Sequence, residues 1–123
     1  MKKIWVTFRK AGFHRYPAAG TQGLEDVAYL AHPHRHLFHF KVAIEVFHDD
    51  REIEFHQFLN FLEAAVALNG LDYKSCEMIA DDIAKIVAEK YPALYRTLEV
   101  EVSEDGECGV HAIYGISNGE VFG

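Results

Sequence analysis

Cysteine is scarce in this chain: only Cys76 and Cys108 among 123 residues. They form no Cys-x-x-Cys pattern and suggest no disulfide scaffold, so a reducing cytoplasm is the expected setting. Three prolines and nine glycines are too few for a linker or a disordered tail of any length. Repeats and low-complexity segments are absent as well. No apolar run approaches the ~18 residues of a membrane span, and the N-terminus lacks the apolar stretch of a secretory signal. A basic excess is also missing. The net charge of −7 argues against nucleic acid as a partner. What remains is a chain that is 50% hydrophobic, and its length suits a single domain over residues 1–123 with one core.

The charge is unevenly spread. Residues 1–35 hold six basic and two acidic side chains, whereas residues 36–123 hold six basic and seventeen acidic ones. The basic third also contains His14, His34 and His36. A positive field around these imidazoles would suit a small anionic ligand; uneven surface solvation accounts for the same imbalance.

Residues 3–9 alternate Ile4, Val6 and Phe8 on one face and read as a strand. Gly12, Pro17, Gly20, Gly23 and Pro33 then punctuate a long connection over residues 10–33, and loops of that size often carry function. A second strand runs from about His34 to Phe47, with Phe38, Phe40, Val42, Ile44 and Val46 on one face and Arg35, His39, Lys41 and Glu45 on the other. That is the pattern of an antiparallel sheet covered on one side. After a turn at residues 49–51 and a short extended piece, Phe55, Phe58, Leu59, Leu62 and Val66 predict a helix stopped at Asn69-Gly70. Ser75 is placed to cap a second helix that turns Ile79, Ile83, Ile86 and Val87 inward. Leu98, Val100 and Val102 form a third strand, and residues 109–114 a fourth after Asp105-Gly106. The expectation is an α+β fold of order β-β-α-α-β-β: a four-stranded antiparallel sheet with two helices on one face. Its unpaired outer edges favour assembly into a homo-oligomer.

His34 and His36, two apart on a strand, point to the same face. His14, from the end of a neighbouring strand, would complete a three-nitrogen set with an open fourth position, the layout of a catalytic zinc. His32 and His39 are near enough to be rival ligands. The plain alternative is a set of ordinary, partly buried histidines.

The order of motifs resembles the 6-pyruvoyl-tetrahydropterin synthase and 6-carboxytetrahydropterin synthase family, whose subunit is the T-fold. Phe13-His14-Arg15-Tyr16-Pro17 is similar to its first histidine segment, and His34-Arg35-His36-Leu37-Phe38 to its His-Gly-His strand start. Glu54-Phe55 stands for the Asp-Phe pair that opens its first helix. Lys74-Ser75-Cys76-Glu77 echoes its Pro-Thr-Ser-Glu helix start, and Val102-Ser103-Glu104-Asp105 its Val-x-Glu-Thr strand end. The resemblance spans nearly the whole chain, with no motif exact. It implies Zn²⁺ held by His14, His34 and His36, and Glu104 anchoring a pterin or purine-like ring through two parallel N–H bonds. It further implies a carbon–oxygen lyase acting on a dihydropterin triphosphate or a related precursor of pterins or deazapurines. The expected assembly is a hexamer of two stacked trimeric rings.

The departures concern proton transfer. The family's usual base, a cysteine four positions before the first histidine of the pair, is Leu30 here. Its Leu-Asp-His segment has become Leu71-Asp72-Tyr73, so the histidine of its relay is missing, and Arg35 replaces the glycine between the paired histidines. His32 as base, Tyr73 as proton donor beside Asp72, and Cys108 approaching from the last strand are the conceivable substitutes. Two functional expectations follow. One is a zinc-dependent lyase of the tetrahydropterin-synthase type. The other is a T-fold protein that binds a pterin or purine without the family's main reaction. A small interaction domain with scattered histidines is the plainer third.

Overall fold

The computed structural model describes residues 1–32, 34–92 and 94–123, with the side chains of His14, Leu68 and Asn69 also outside the described set. Pro33, expected to close the long connection, falls outside it. The elements in chain order are β1 (Lys2–His14), a 3-10 helix (Glu25–Ala31), β2 (His34–Val46), α1 (Phe55–Asn69), α2 (Cys76–Lys90), β3 (Arg96–Glu104), β4 (Cys108–Ser117) and β5 (Glu120–Phe122). The α+β class is as expected, but the sheet is five-stranded, in the order β1-β2-β3-β4-β5 and antiparallel throughout.

The expected four strands and two helices thus need two corrections. Asn118 and Gly119 both take positive φ (53° and 80°), the geometry of a two-residue hairpin turn, and return the chain as β5 against the end of β4. Within the long connection, a short 3-10 helix satisfies part of the backbone locally, and Tyr16 N–H donates to Leu30 O at 2.7 Å to close the loop onto itself. β1 also runs five residues beyond the expected end. Gly12 lies within the strand, opposite His36; a Cβ there would lie 2.8 Å from Leu71 Cδ1, so a larger residue would need the tip of the Leu71 side chain to shift.

One face of the sheet is dry. Phe38, Phe40, Val42 and Ile44 of β2, and Leu98, Val100 and Val102 of β3, are at most 2% exposed, as period-2 alternation requires. Phe8 and Phe40 stack with ring centres 4.7 Å apart. α1 covers β1, and α2 covers β3, β4 and β5. Phe58, Leu62 and Val66, four apart, bring α1 down onto this face, and Ile79, Ile83 and Val87 do the same for α2. Full burial of each such side chain contributes about 1.5–3 kcal/mol. Both helices start on a side-chain cap: Glu54 Oε2 accepts from Gln57 N–H at 2.7 Å, and Ser75 Oγ from Met78 N–H at 3.1 Å. The opposite face is mostly polar, with Lys3 paired to Glu99 and His111 between Glu99 and Glu101, and it also exposes Trp5 and Ile113. Among the described residues no helix is long and apolar enough to cross a membrane.

Where β2, β3 and the end of α2 converge, a charge is buried. Arg96 is 7% exposed. Its guanidinium meets Glu52 Oε2 at 2.6 Å and donates to Glu45 O at 3.0 Å. The rings of Phe47 and Tyr91 lie 5.1 and 5.9 Å from it. This cluster ties the segment after β2 to the start of β3.

Candidate metal and ligand site

β1 and β2 pair in register along their whole length, so His14 stands opposite His34 and Gly12 opposite His36. The backbone therefore brings the three expected ligand positions to one end of the β1–β2 ladder. The side chain of His14 lies outside the described residues. Those of His34 and His36 are adjacent, with ring centres 4.6 Å apart and planes nearly perpendicular.

Each ring is held through the same nitrogen. His34 Nδ1 donates to the carbonyl of His32 at 2.8 Å, and His36 Nδ1 donates to Asp105 Oδ2 at 2.7 Å. A carbonyl and an ionised carboxylate can only accept, so in the neutral rings the proton resides on Nδ1 and the lone pair on Nε2. Both Nε2 atoms are shielded from solvent. Histidine ligands of metals are commonly oriented this way, through the nitrogen that does not ligate. Two imidazoles that each place Nε2 ~2.0–2.1 Å from one tetrahedral zinc have ring centres about 5 Å apart, close to the separation observed. The spacing of the two rings is compatible with a shared ion. Among the described residues, no group of three His, Cys, Asp or Glu side chains is arranged to hold a metal; completing the set falls to the position of His14.

Beside the pair opens a cleft of about 770 Å³. Its walls are the segment Arg15–Ala18, Leu30, the first turn of α2, and the β3–β4 turn region. His34 and Glu104 face into it. Glu104, the last residue of β3, also brings Oε2 to 3.6 Å from His36 Nε2, so the carboxylate borders both the cleft and the imidazole pair. Tyr73, at φ 64°, lies under the Arg15 guanidinium at 4.0 Å. The wall carries charge of both signs: Arg15 and Lys74, the latter paired to Asp82 at 2.5 Å, beside Glu77 and Glu104.

Of the remaining candidates, Tyr73 reaches the cleft, whereas Asp72 is turned to its own loop, accepting from Tyr73 N–H at 2.9 Å with Arg15 Nε 3.8 Å away. His32 contributes its carbonyl to His34; its side chain is exposed and is not part of the cleft wall. Leu30, in the position of the family's cysteine, is part of that wall.

Two residues, Cys76 and Asp105, were not anticipated as parts of the site, while Cys108 was named as a conceivable substitute. Cys76 and Cys108 both line the cleft. Burial pushes the Cys76 thiol up to about 11, with Glu104, Glu77 and Cys108 adding to the effect, so this sulfur stays protonated at neutral pH and is no base. Asp105 forks across the start of β2, Oδ1 accepting from Leu37 N–H at 2.9 Å and Oδ2 from His36. The Leu37 amide first, and then His36, hold its carboxyl below the usual range. The signal for Asp105 lay in the strand register, which sets Glu104 opposite Phe38 and so carries Asp105 to the level of Leu37, one residue from His36.

Neither a scan against models of known protein families nor a search of curated proteins finds a match to this chain.

Proposed function

We propose that this chain is a divergent T-fold protein of the 6-pyruvoyl/6-carboxytetrahydropterin synthase type, a zinc-dependent carbon–oxygen lyase for an anionic, pterin-like substrate. The observation that carries the reading is the pair His34 and His36, adjacent on β2 and each oriented through Nδ1, which makes Nε2 the lone-pair nitrogen of both neutral rings. With His14 they would hold Zn²⁺. When bound, the ion supplies Lewis-acid polarisation of hydroxyl groups on the substrate's side chain. Glu104 accepts paired N–H groups from the ring's amidine-like edge, which selects pterin and purine-like heterocycles. Arg15, on the cleft wall, suits the negative charge of a phosphorylated side chain. β1 and β5 are the outer strands of the sheet, and an uncovered edge favours pairing with another copy, in keeping with a hexamer.

A second reading has its own support. Leu30 lines the cleft where the family keeps its proton-accepting cysteine, and Cys76 is too weakly acidic to replace it. A binder of pterins or purines without the family's main reaction is consistent with that wall. Turnover separates the two. Zinc-loaded protein incubated with dihydroneopterin triphosphate yields a tetrahydropterin product under the lyase reading. Stoichiometric ring binding without product supports the binder, and neither binding nor turnover removes both.

A further inference from the structure

We propose that Asp105 is a positioning residue of the metal centre, fixing His36 with Nε2 toward the ion; this deepens the zinc reading above and rests on it. The case begins with the backbone. Asp105 and Gly106 both adopt positive φ (56° and 70°), and Glu107 N–H donates to Glu104 O at 3.0 Å. This is a tight two-residue turn whose first position tolerates Asp or Asn and disfavours most other side chains. Asp105 N–H also donates to Leu37 O at 2.7 Å, while Asp105 Oδ1 accepts from Leu37 N–H. Residue 105 is thereby clamped to β2 by two contacts that do not involve histidine, one from its backbone N–H and one to its carboxylate. Its second oxygen, Oδ2, has a defined place, and His36 Nδ1 is 2.7 Å from it.

The consequence for His36 is chemical as well as geometric. A carboxylate acceptor leaves the neutral ring with its lone pair on Nε2, and it makes that nitrogen a stronger donor to a cation than a carbonyl acceptor does. His34 has the carbonyl of His32 for the same purpose. The two rings are therefore presented by unlike partners, one neutral and one anionic, and the anionic one belongs to a side chain that can be replaced without touching a ligand.

Asp105→Asn isolates the effect. Asparagine tolerates the same turn conformation, yet with its oxygen on the Leu37 amide it offers His36 an N–H donor, which demands the opposite tautomer. Zinc affinity is measured by competition with a chelator of known strength, and ¹⁵N shifts of the His36 ring in metal-free protein report the tautomer above the pH range where imidazole titrates. The expected result is an Nδ1–H ring in the wild type, a shift toward Nε2–H in Asp105→Asn, and zinc binding weakened about 10- to 100-fold. Wild-type and variant proteins of equal zinc affinity overturn the positioning role and leave the metal centre intact. A wild type that binds no zinc overturns the metal reading itself. A His36 ring protonated on Nε2 in the wild type overturns the inference even if Asp105→Asn fails to fold.

Discussion

Replacing Arg96 by methionine should be among the most destabilising single changes available outside the apolar core. Arg96 and Glu52 have side chains only 9% and 14% exposed and meet at 2.6 Å. Removal of one partner of a buried pair leaves the other charge uncompensated, at a cost of about 3–5 kcal/mol. Glu52 keeps a second contact in the variant, its Oε1 accepting from Phe47 N–H at 2.7 Å, and it retains some access to water. The lower end, about 3 kcal/mol, is therefore expected, a large fraction of a typical domain's stability. Arg96→Met, Glu52→Leu and the double variant, unfolded in urea at fixed protein concentration and followed by circular dichroism, form a cycle. The double variant should be markedly more stable than the two single losses added together, because no buried charge remains. Additive losses, or a single loss below about 1 kcal/mol, the scale of an exposed pair, would refute the reasoning. Acid provides a second check. Burial tends to raise the Glu52 carboxyl, but the Phe47 amide and the Arg96 guanidinium outweigh it and hold the group below its ordinary 4.5. Its contribution is thus complete above pH 4.5 and is lost as the pH falls through the lower folded value. Arg96→Met should flatten this acid limb.

Gly109→Ala should disturb the entry to β4, since the new Cβ would lie 2.1 Å from Val102 O and 2.6 Å from Ser103 Cα, backbone atoms that cannot move aside. A clear fall in the urea midpoint is expected, and an unchanged midpoint would contradict the close approach. Leu30→Cys places a thiol on the cleft wall. A general base contributes roughly 10²–10⁴-fold, so a rise in turnover of dihydroneopterin triphosphate of at least tenfold is expected, and no rise would mean that this wall does not face the reacting carbon.

Much of the scaffold was legible because its residues answer to a single local rule. The alternation from Phe38 to Ile44 defines the buried face of β2, and Ser75 caps α2 as its position suggested. Other features depended on distant partners. Gly12 read as part of the long connection and is instead a strand position opposite His36, with the tip of Leu71 beside it. The hairpin at Asn118-Gly119 carries so short a final strand that alternation gives no sign of it. Phe55, expected on the inner stripe of α1, is 57% exposed in the first turn. At the site, the pairing of His34 with His36 follows from their spacing, whereas the hydrogen bonds that orient them do not. The carbonyl of His32 reaches back two residues, and Asp105 arrives from another strand. Register, not composition, decides such contacts.

Zinc content per subunit, determined side by side for the wild type and for His14→Ala, His34→Ala and His36→Ala, weighs most directly on the proposed centre. One zinc per chain in the wild type and its loss from each variant is the expected result. A wild type purified and reconstituted without stoichiometric zinc, or variants that all retain it, would contradict the centre; retention in His14→Ala together with loss in His32→Ala would move the third ligand to His32.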